Sequence, residues 1–152
     1  MAKSKKQSKK QKFTPGDFEL AVRRSRSGLG LFAVDAIPKN ACVIEYIGNV
    51  LTDEEYEKTR SRYLFDLGKD KVLDGSPRWN KARYINHSCL PNCETEVHKQ
   101  RIYVRSIRKI KPGEELVYDY GKEYFDEFIG ENCRCPKCMP PEPEAAEAEP
   151  EA

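Results

Sequence analysis

Between Phe18 and Tyr120 the apolar residues fall in short alternating runs broken by glycine, proline, asparagine and aspartate. A period of two suits half-buried strands and leaves little length for helices. Runs at 18–23, 42–47, 63–67, 93–97, 102–107 and 115–118 read as strands. Thr52-Asp53-Glu54-Glu55 has the order of a capping box, a hydroxyl at the N-cap and a carboxylate three residues on, and predicts a helix running towards Arg62. Pro112-Gly113 suits the central positions of a type II turn, and His98-Lys99-Gln100 joins two strand-like runs as a hairpin. The pattern predicts a mainly β fold with few short helices, and 152 residues fit one compact domain.

Charge is segregated at the two ends. Residues 1–12 hold six lysines and no acid, while residues 139–152 hold five glutamates and no base. Like-charge runs of low hydrophobicity bury too little apolar surface to offset the entropy of ordering, so 1–14 and 140–152 are expected to be disordered tails. The body between them is nearly neutral and implies no polyanion partner. The lysine tract could touch nucleic acid or serve as a nuclear address, though a solvated tail is the simpler reading. No apolar run approaches the roughly 18 residues of a membrane span, and the basic start lacks the apolar core of a secretory signal. An intracellular protein is expected, with bacterial cytoplasm and eukaryotic nucleus not distinguished. In a reducing compartment six cysteines point to thiols or metal ligands rather than disulfides.

Taken singly, the polar motifs are ambiguous. Gly28-Leu29-Gly30 reads most simply as a tight turn between strands, and its spacing fits neither a P-loop nor a dinucleotide fingerprint. Tyr118 and Tyr120 share a strand face by the period of two, where tyrosines usually pack, but a cluster of phenols with Tyr46 could also hold an amine or a cation. His87 alone suits a hydrogen-bonded structural role, His98 a surface hairpin and Trp79 core or rim packing. Cys133-Arg134-Cys135-Pro136-Lys137-Cys138 offers three thiolates, and tetrahedral zinc requires a fourth ligand from elsewhere.

Gly28-Leu29-Gly30, Tyr46-x-Gly48, the run from Arg83 to Asn92 with Asn86-His87-Ser88-Cys89 inside it, and Glu115-Leu116-x-Tyr118-Asp119-Tyr120 occur in this order. The ordered set resembles the motif series of SET-domain protein lysine methyltransferases, over roughly residues 18–138. The resemblance implies a SET-domain β-clip fold of small curved sheets with a C-terminal pseudoknot, occupying 15–121, followed by a post-SET-like zinc-binding segment at 122–139. The implied activity is methyl transfer from S-adenosylmethionine to a lysine, mainly mono- or dimethylation, on a histone or another basic protein.

The family's roles carry over residue by residue. Ser27, Gly28, Leu29 and Gly30 are expected to receive the methionine part of the cosubstrate, with Asn86 and His87 in contact with it. Tyr63 resembles a tyrosine that also touches it, with strand packing as the other reading. Tyr120 matches the catalytic tyrosine, Tyr46 a second channel tyrosine, and Tyr118 the position where phenylalanine or tyrosine sets the degree of methylation. Asp119 is expected to support the strand rather than take the lysine proton. Cys89 is nominated as the fourth ligand of one structural zinc with Cys133, Cys135 and Cys138, and Cys93 is the alternative. The family tail has four residues between its last two cysteines, and this chain has two. Cys42 looks like a strand residue, and 122–131 a helix with Phe125 and Phe128 as apolar contacts. The sequence reads as a catalytic domain between charged tails. A zinc-stabilised binding module that kept the fold and lost activity is the rival from another class.

Overall fold

The computed structural model describes residues 12–26, 28–121, Ile129 and Cys133. Among these the elements run β1 (Leu20–Ser25), β2 (Gly28–Ala33), β3 (Cys42–Tyr46), β4 (Asn49–Leu51), α1 (Asp53–Lys58), β5 (Leu64–Gly68), β6 (Lys71–Asp74), a 3-10 turn (Lys81–Tyr84), β7 (Asn86–His87), β8 (Cys93–His98), β9 (Arg101–Ser106) and β10 (Val117–Tyr118). They form three small sheets: β1-β2, β4-β6-β5 and the five-stranded β3-β9-β8-β10-β7.

Turn chemistry fixes the registers. Lys99 and Gln100 both have positive φ (50° and 62°), as a two-residue type I′ hairpin requires, and pair His98 with Arg101. Gly113 has φ 89° and Glu114 N donates to Lys111 O at 3.0 Å, so Lys111-Pro112-Gly113-Glu114 is the expected type II turn. The capping box forms as read: Glu55 N donates to Thr52 Oγ1 at 3.1 Å and Thr52 N to Glu55 Oε1 at 2.9 Å. The helix nevertheless stops at Lys58 rather than continuing to Arg62. None of its residues is buried, so no apolar stripe prolongs it. Ser61 instead donates to Asp74 Oδ1 at 2.7 Å and draws the chain towards β5.

Three further expectations change. Gly28–Phe32 is not a tight turn but part of β2, because the chain reverses before Gly28 and Gly30 pairs with Arg23. Trp79 is 60% exposed and contributes nothing to the core. Lys12 and Phe13, inside the segment expected to be disordered, are packed: Phe13 stacks on His98 at 3.8 Å between centroids, and Arg105 Nη2 donates to Lys12 O at 2.7 Å.

The core is aliphatic, with Leu31, Ile37, Ile85, Ile102, Ile110 and Leu116 essentially inaccessible. Leu116 brings the last segment into it. Upstream of β10 that segment runs beside β2, with Ala33 N donating to Glu114 O at 2.9 Å and Leu116 N to Leu31 O at 2.8 Å. β10 then lies between β7 and β8, parallel to both, and the link 88–92 bridges across it. Parallel neighbours ordinarily need a crossover of a dozen or more residues. Here the bridge spans an inserted strand, the arrangement of the implied pseudoknot.

Asn92 secures the insertion. It is 1% exposed, its Nδ2 donates to Glu115 O at 2.8 Å and its Oδ1 accepts from Val117 N at 2.9 Å. Asn92→Ala removes the partner of the part-buried Glu115 carbonyl and of the part-buried Val117 N–H, and is expected to cost about 1–3 kcal/mol in urea unfolding. Asn92→Asp, which keeps only the acceptor, should fall between it and the parent.

Burial alone pushes the Glu114 carboxyl up, but Arg108 and Lys111 outweigh it and hold the group below its ordinary value of 4.5. Arg108 Nη2 reaches Glu114 Oε2 at 2.9 Å and Lys111 N donates to Oε1 at 2.8 Å. A carboxylate with a depressed folded pKa stabilises the fold above its unfolded pKa and loses that contribution as pH falls through the folded value. Glu114→Gln should therefore cost up to about 1 kcal/mol at pH 7, and the difference should vanish in strong acid. Chemical denaturation at the two pH values measures it.

Candidate active site

The ends of β3, β5 and β10 and the 3-10 turn enclose a cavity of about 500 Å³. Tyr46, Tyr63, Phe65, Arg83, Tyr118 and Tyr120 are among its lining residues. Their rings form a connected series: Tyr46 and Phe65 centroids lie 4.6 Å apart, Phe65 and Tyr118 6.3 Å, and Tyr118 and Tyr120 4.9 Å. Such tilted contacts hold aromatic rings in fixed orientations. Tyr46 is packed against Gly75, where a Cβ would overlap its ring. Tyr120 donates its hydroxyl proton to Ile85 O, so towards any other group its oxygen can act only as an acceptor. The Arg83 guanidinium lies 4.6 Å from the Tyr63 ring and 5.0 Å from Tyr84. Its Nε is buried with no hydrogen-bond partner among the described residues, a donor available to an anionic ligand group.

Beside this cavity, Asn86 ties three distant segments together. Its Nδ2 lies 3.0 Å from Ser25 Oγ, 2.9 Å from Leu29 O and 2.8 Å from Glu115 Oε2. The two amide hydrogens are thus shared among three oxygens drawn from β1, β2 and the approach to β10. Gly30 permits this, because a Cβ there would strike the Glu115 carboxylate. Gly28 and Leu29 border a shallow hollow with Arg24 and Ser25, and Leu29 remains 51% exposed. Ser27 lies outside the described residues.

His87 faces away from this junction. Its Nδ1 accepts from Tyr120 N at 3.0 Å, and its Nε2 is 3.4 Å from Cys89 Sγ. Burial holds the imidazole below its ordinary pKa, with Asp119 opposing, so the ring is neutral near pH 7. His87, Cys89 and Cys133 bring their nitrogen and sulfur donors within 4.8 Å of one another. Nitrogen and thiolate donors at such separations suit zinc, so the residues present fit the metal. Cys135 and Cys138 lie outside the described residues, as do all but Ile129 of the helix expected at 122–131 and the charged tails at 1–11 and 140–152. Cys42 and Cys93 are buried strand residues whose thiols are pushed up by desolvation to about 11 and about 12, which makes both poor ligands.

Tyr46, Tyr63, Tyr118 and Tyr120 therefore share one cavity, and Gly28, Leu29, Gly30 and Asn86 share the neighbouring junction. Asp119 accepts from Gly121 N at 2.9 Å, a local strand-end role. Sequence reasoning did not single out Glu115, Arg83, Phe65 or Ser25. Glu115 opens the Glu115–Tyr120 motif, but nothing in its spacing shows that its carboxylate crosses to Gly30.

A β-rich fold of three small sheets, a threaded final strand and a tyrosine cavity define the class, and residues 28–121 match the SET domain model. The chain belongs to the SET-domain family. It is 43% identical to histone-lysine N-methyltransferase trr of Drosophila melanogaster, over 77% of this chain and 5% of that protein. Identity to histone-lysine N-methyltransferase 2D of Homo sapiens is 39%, over 75% of this chain and 2% of the relative. The H3 lysine-4 specific histone-lysine N-methyltransferase of Schizosaccharomyces pombe is 39% identical, over 72% and 13%. The chain thus spans a small fraction of these relatives. Among the described residues no helix is long and apolar enough to cross a membrane.

Gly30→Ala should lower stability by about 1–3 kcal/mol, because the added methyl displaces the Glu115 carboxylate from Asn86. Thermal or urea unfolding of Gly30→Ala, Glu115→Ala and the pair tests the contact: the double variant should lose less than the sum of the singles. Strict additivity would mean that the two do not touch.

Proposed function

We propose that the chain is an S-adenosylmethionine-dependent protein-lysine N-methyltransferase that places one or two methyl groups on a lysine of a histone or another basic protein. The observation that carries the reading is the cavity in which Tyr46, Tyr118 and Tyr120 converge, beside the Asn86 junction. Histone H3 is the first substrate to try, since a relative is named for H3 lysine 4. A histone substrate makes the nucleus the compartment of action, with the lysine tract at 1–12 as candidate address. Direct contact of that tract with nucleic acid belongs to the same reading.

S-adenosylmethionine, when bound, supplies an electrophilic sulfonium methyl group. Ser27, Gly28, Leu29, Gly30, Asn86, His87 and Tyr63 are the residues proposed to hold it. The attacking lysine must be neutral, whereas its ordinary pKa is about 10.4. On the cavity wall Arg62, Arg83 and the apolar Phe65 and Ile85 disfavour ammonium while Asp66 favours it, and the balance of two cations against one carboxylate helps the proton leave without a strong base. Tyr120, its own proton committed to Ile85 O, presents lone pairs that orient the amine or a polarised methyl C–H. Tyr46 forms the opposing wall. Fixed orientation supplies much of the rate. The Tyr118 hydroxyl retains a water that further methylation would displace, which limits the product to one or two methyl groups.

One structural zinc held by Cys89, Cys133, Cys135 and Cys138 would pin residues 122–139 beside the site, after a SET domain at 15–121. The zinc reading rests on the Cys89–Cys133 approach and the nearby imidazole.

Methyl transfer to histone H3 and to a cell lysate, with mass spectrometry of the labelled lysines, tests the proposal. Tyr120→Phe should lower the rate about a hundredfold or more while cosubstrate binding and the melting temperature hold. Tyr118→Phe should shift the product towards higher methylation. Folded protein that binds the cosubstrate and labels nothing would favour the inactive binding module.

A further inference from the structure

The two ring nitrogens of His87 face different parts of the molecule, and their partners fix where the proton sits. Nδ1 receives the Tyr120 backbone N–H at 3.0 Å, so it carries no proton of its own. Asp119 Oδ1, the carboxylate oxygen facing that nitrogen, is 3.8 Å away and already accepts from Gly121 N. A neutral imidazole with a bare Nδ1 holds its proton on Nε2, and Nε2 lies 3.4 Å from Cys89 Sγ. The side chain is only 4% exposed, so this tautomer is not exchanged freely through solvent contacts.

This geometry decides between two roles next to a metal. To ligate zinc through Nε2, His87 would have to move its proton to Nδ1, where it would meet the hydrogen of Tyr120 N–H head on. Kept as it stands, the ring donates Nε2–H to a Cys89 thiolate, and a metal-bound thiolate is a good acceptor for such a bond. We infer that His87 is a positioning residue that links the zinc site to the catalytic strand, giving its Nε2–H to the metal-bound sulfur of Cys89 and receiving the Tyr120 amide at Nδ1. The inference rests on the zinc reading above. It assigns to the imidazole a task distinct from cosubstrate contact: the state of the thiolate and the position of the Tyr120 backbone are coupled through one rigid ring.

The test uses the full chain labelled with ¹⁵N-histidine. Long-range proton–nitrogen spectra of the zinc-loaded protein should show the Nε2–H tautomer, with the Tyr120 amide proton shifted by its bond to Nδ1. Transfer of the proton to Nδ1 on zinc loading would make His87 a direct ligand and overturn the inference while leaving the zinc reading intact. Metal analysis that finds no zinc would overturn the zinc reading itself. Two variants separate the bonds. His87→Asn places an oxygen near the Nδ1 position and removes the donor to sulfur, so chelator competition should show zinc held on the order of tenfold more weakly, with the Tyr120 amide shift retained. His87→Gln places an NH₂ near the Nε2 position and should give the reverse. Unchanged zinc affinity in His87→Asn would refute the N–H···S link, and the tautomer of the parent protein decides the matter if either variant fails to fold.

Discussion

The insertion of β10 between β7 and β8 is the constraint on which the rest of the structure depends. β7 and β10 are very short, and a two-residue strand carries too few ladder hydrogen bonds to hold itself. Its retention comes from the Asn92 amide, which takes both a donor and an acceptor from the inserted segment, and from Leu116, which buries its side chain in the common core. Burial of a leucine is worth roughly 1.5–3 kcal/mol, comparable with the polar clamp, so neither contribution dominates. Backbone pairing with β2 carries the same segment across the boundary between two sheets.

One consequence is that the site is built from pieces far apart in sequence without any long element to bring them together. The β1-β2 hairpin supplies Ser25 and Leu29, the stretch around β7 supplies Asn86 and His87, and the final strand supplies Glu115, Tyr118 and Tyr120. Each pair is fixed by a hydrogen bond whose partner is backbone or a short side chain. Such contacts leave little slack. Polar groups in the core are handled in the same way elsewhere: Asn80, fully buried, donates to Gly75 O and accepts from Ile47 N, which seats Tyr46 at the cavity wall.

Alternation made β3, β8 and β9 legible, whereas the two glycines of β2 hid an equally long strand. β8 and β9 begin and end within a residue of their sequence assignment because their hairpin has only two loop residues. β4 and β6 escaped because Asn49–Leu51 and Lys71–Asp74 are too short to establish a period, and β7 is shorter still. The helix was read too long since its cap is strong and its stop signal is a tertiary contact, Ser61 with Asp74. For the site, Asn86, His87 and the tyrosines were recognisable only as an ordered motif set. The crossing of Glu115 to Gly30, and the Arg83 guanidinium resting on Tyr63, follow from three-dimensional approach that no spacing encodes.

The late position of the inserted strand also bears on the timing of biosynthesis. While residues up to Glu114 are outside the ribosome and the rest are not, Tyr118 and Tyr120 are missing from the cavity and Asn86 lacks its carboxylate partner. A nascent chain therefore presents much of its β scaffold before its tyrosine-lined cavity is complete. Completion of that cavity thus waits on β10, the last strand among the described residues.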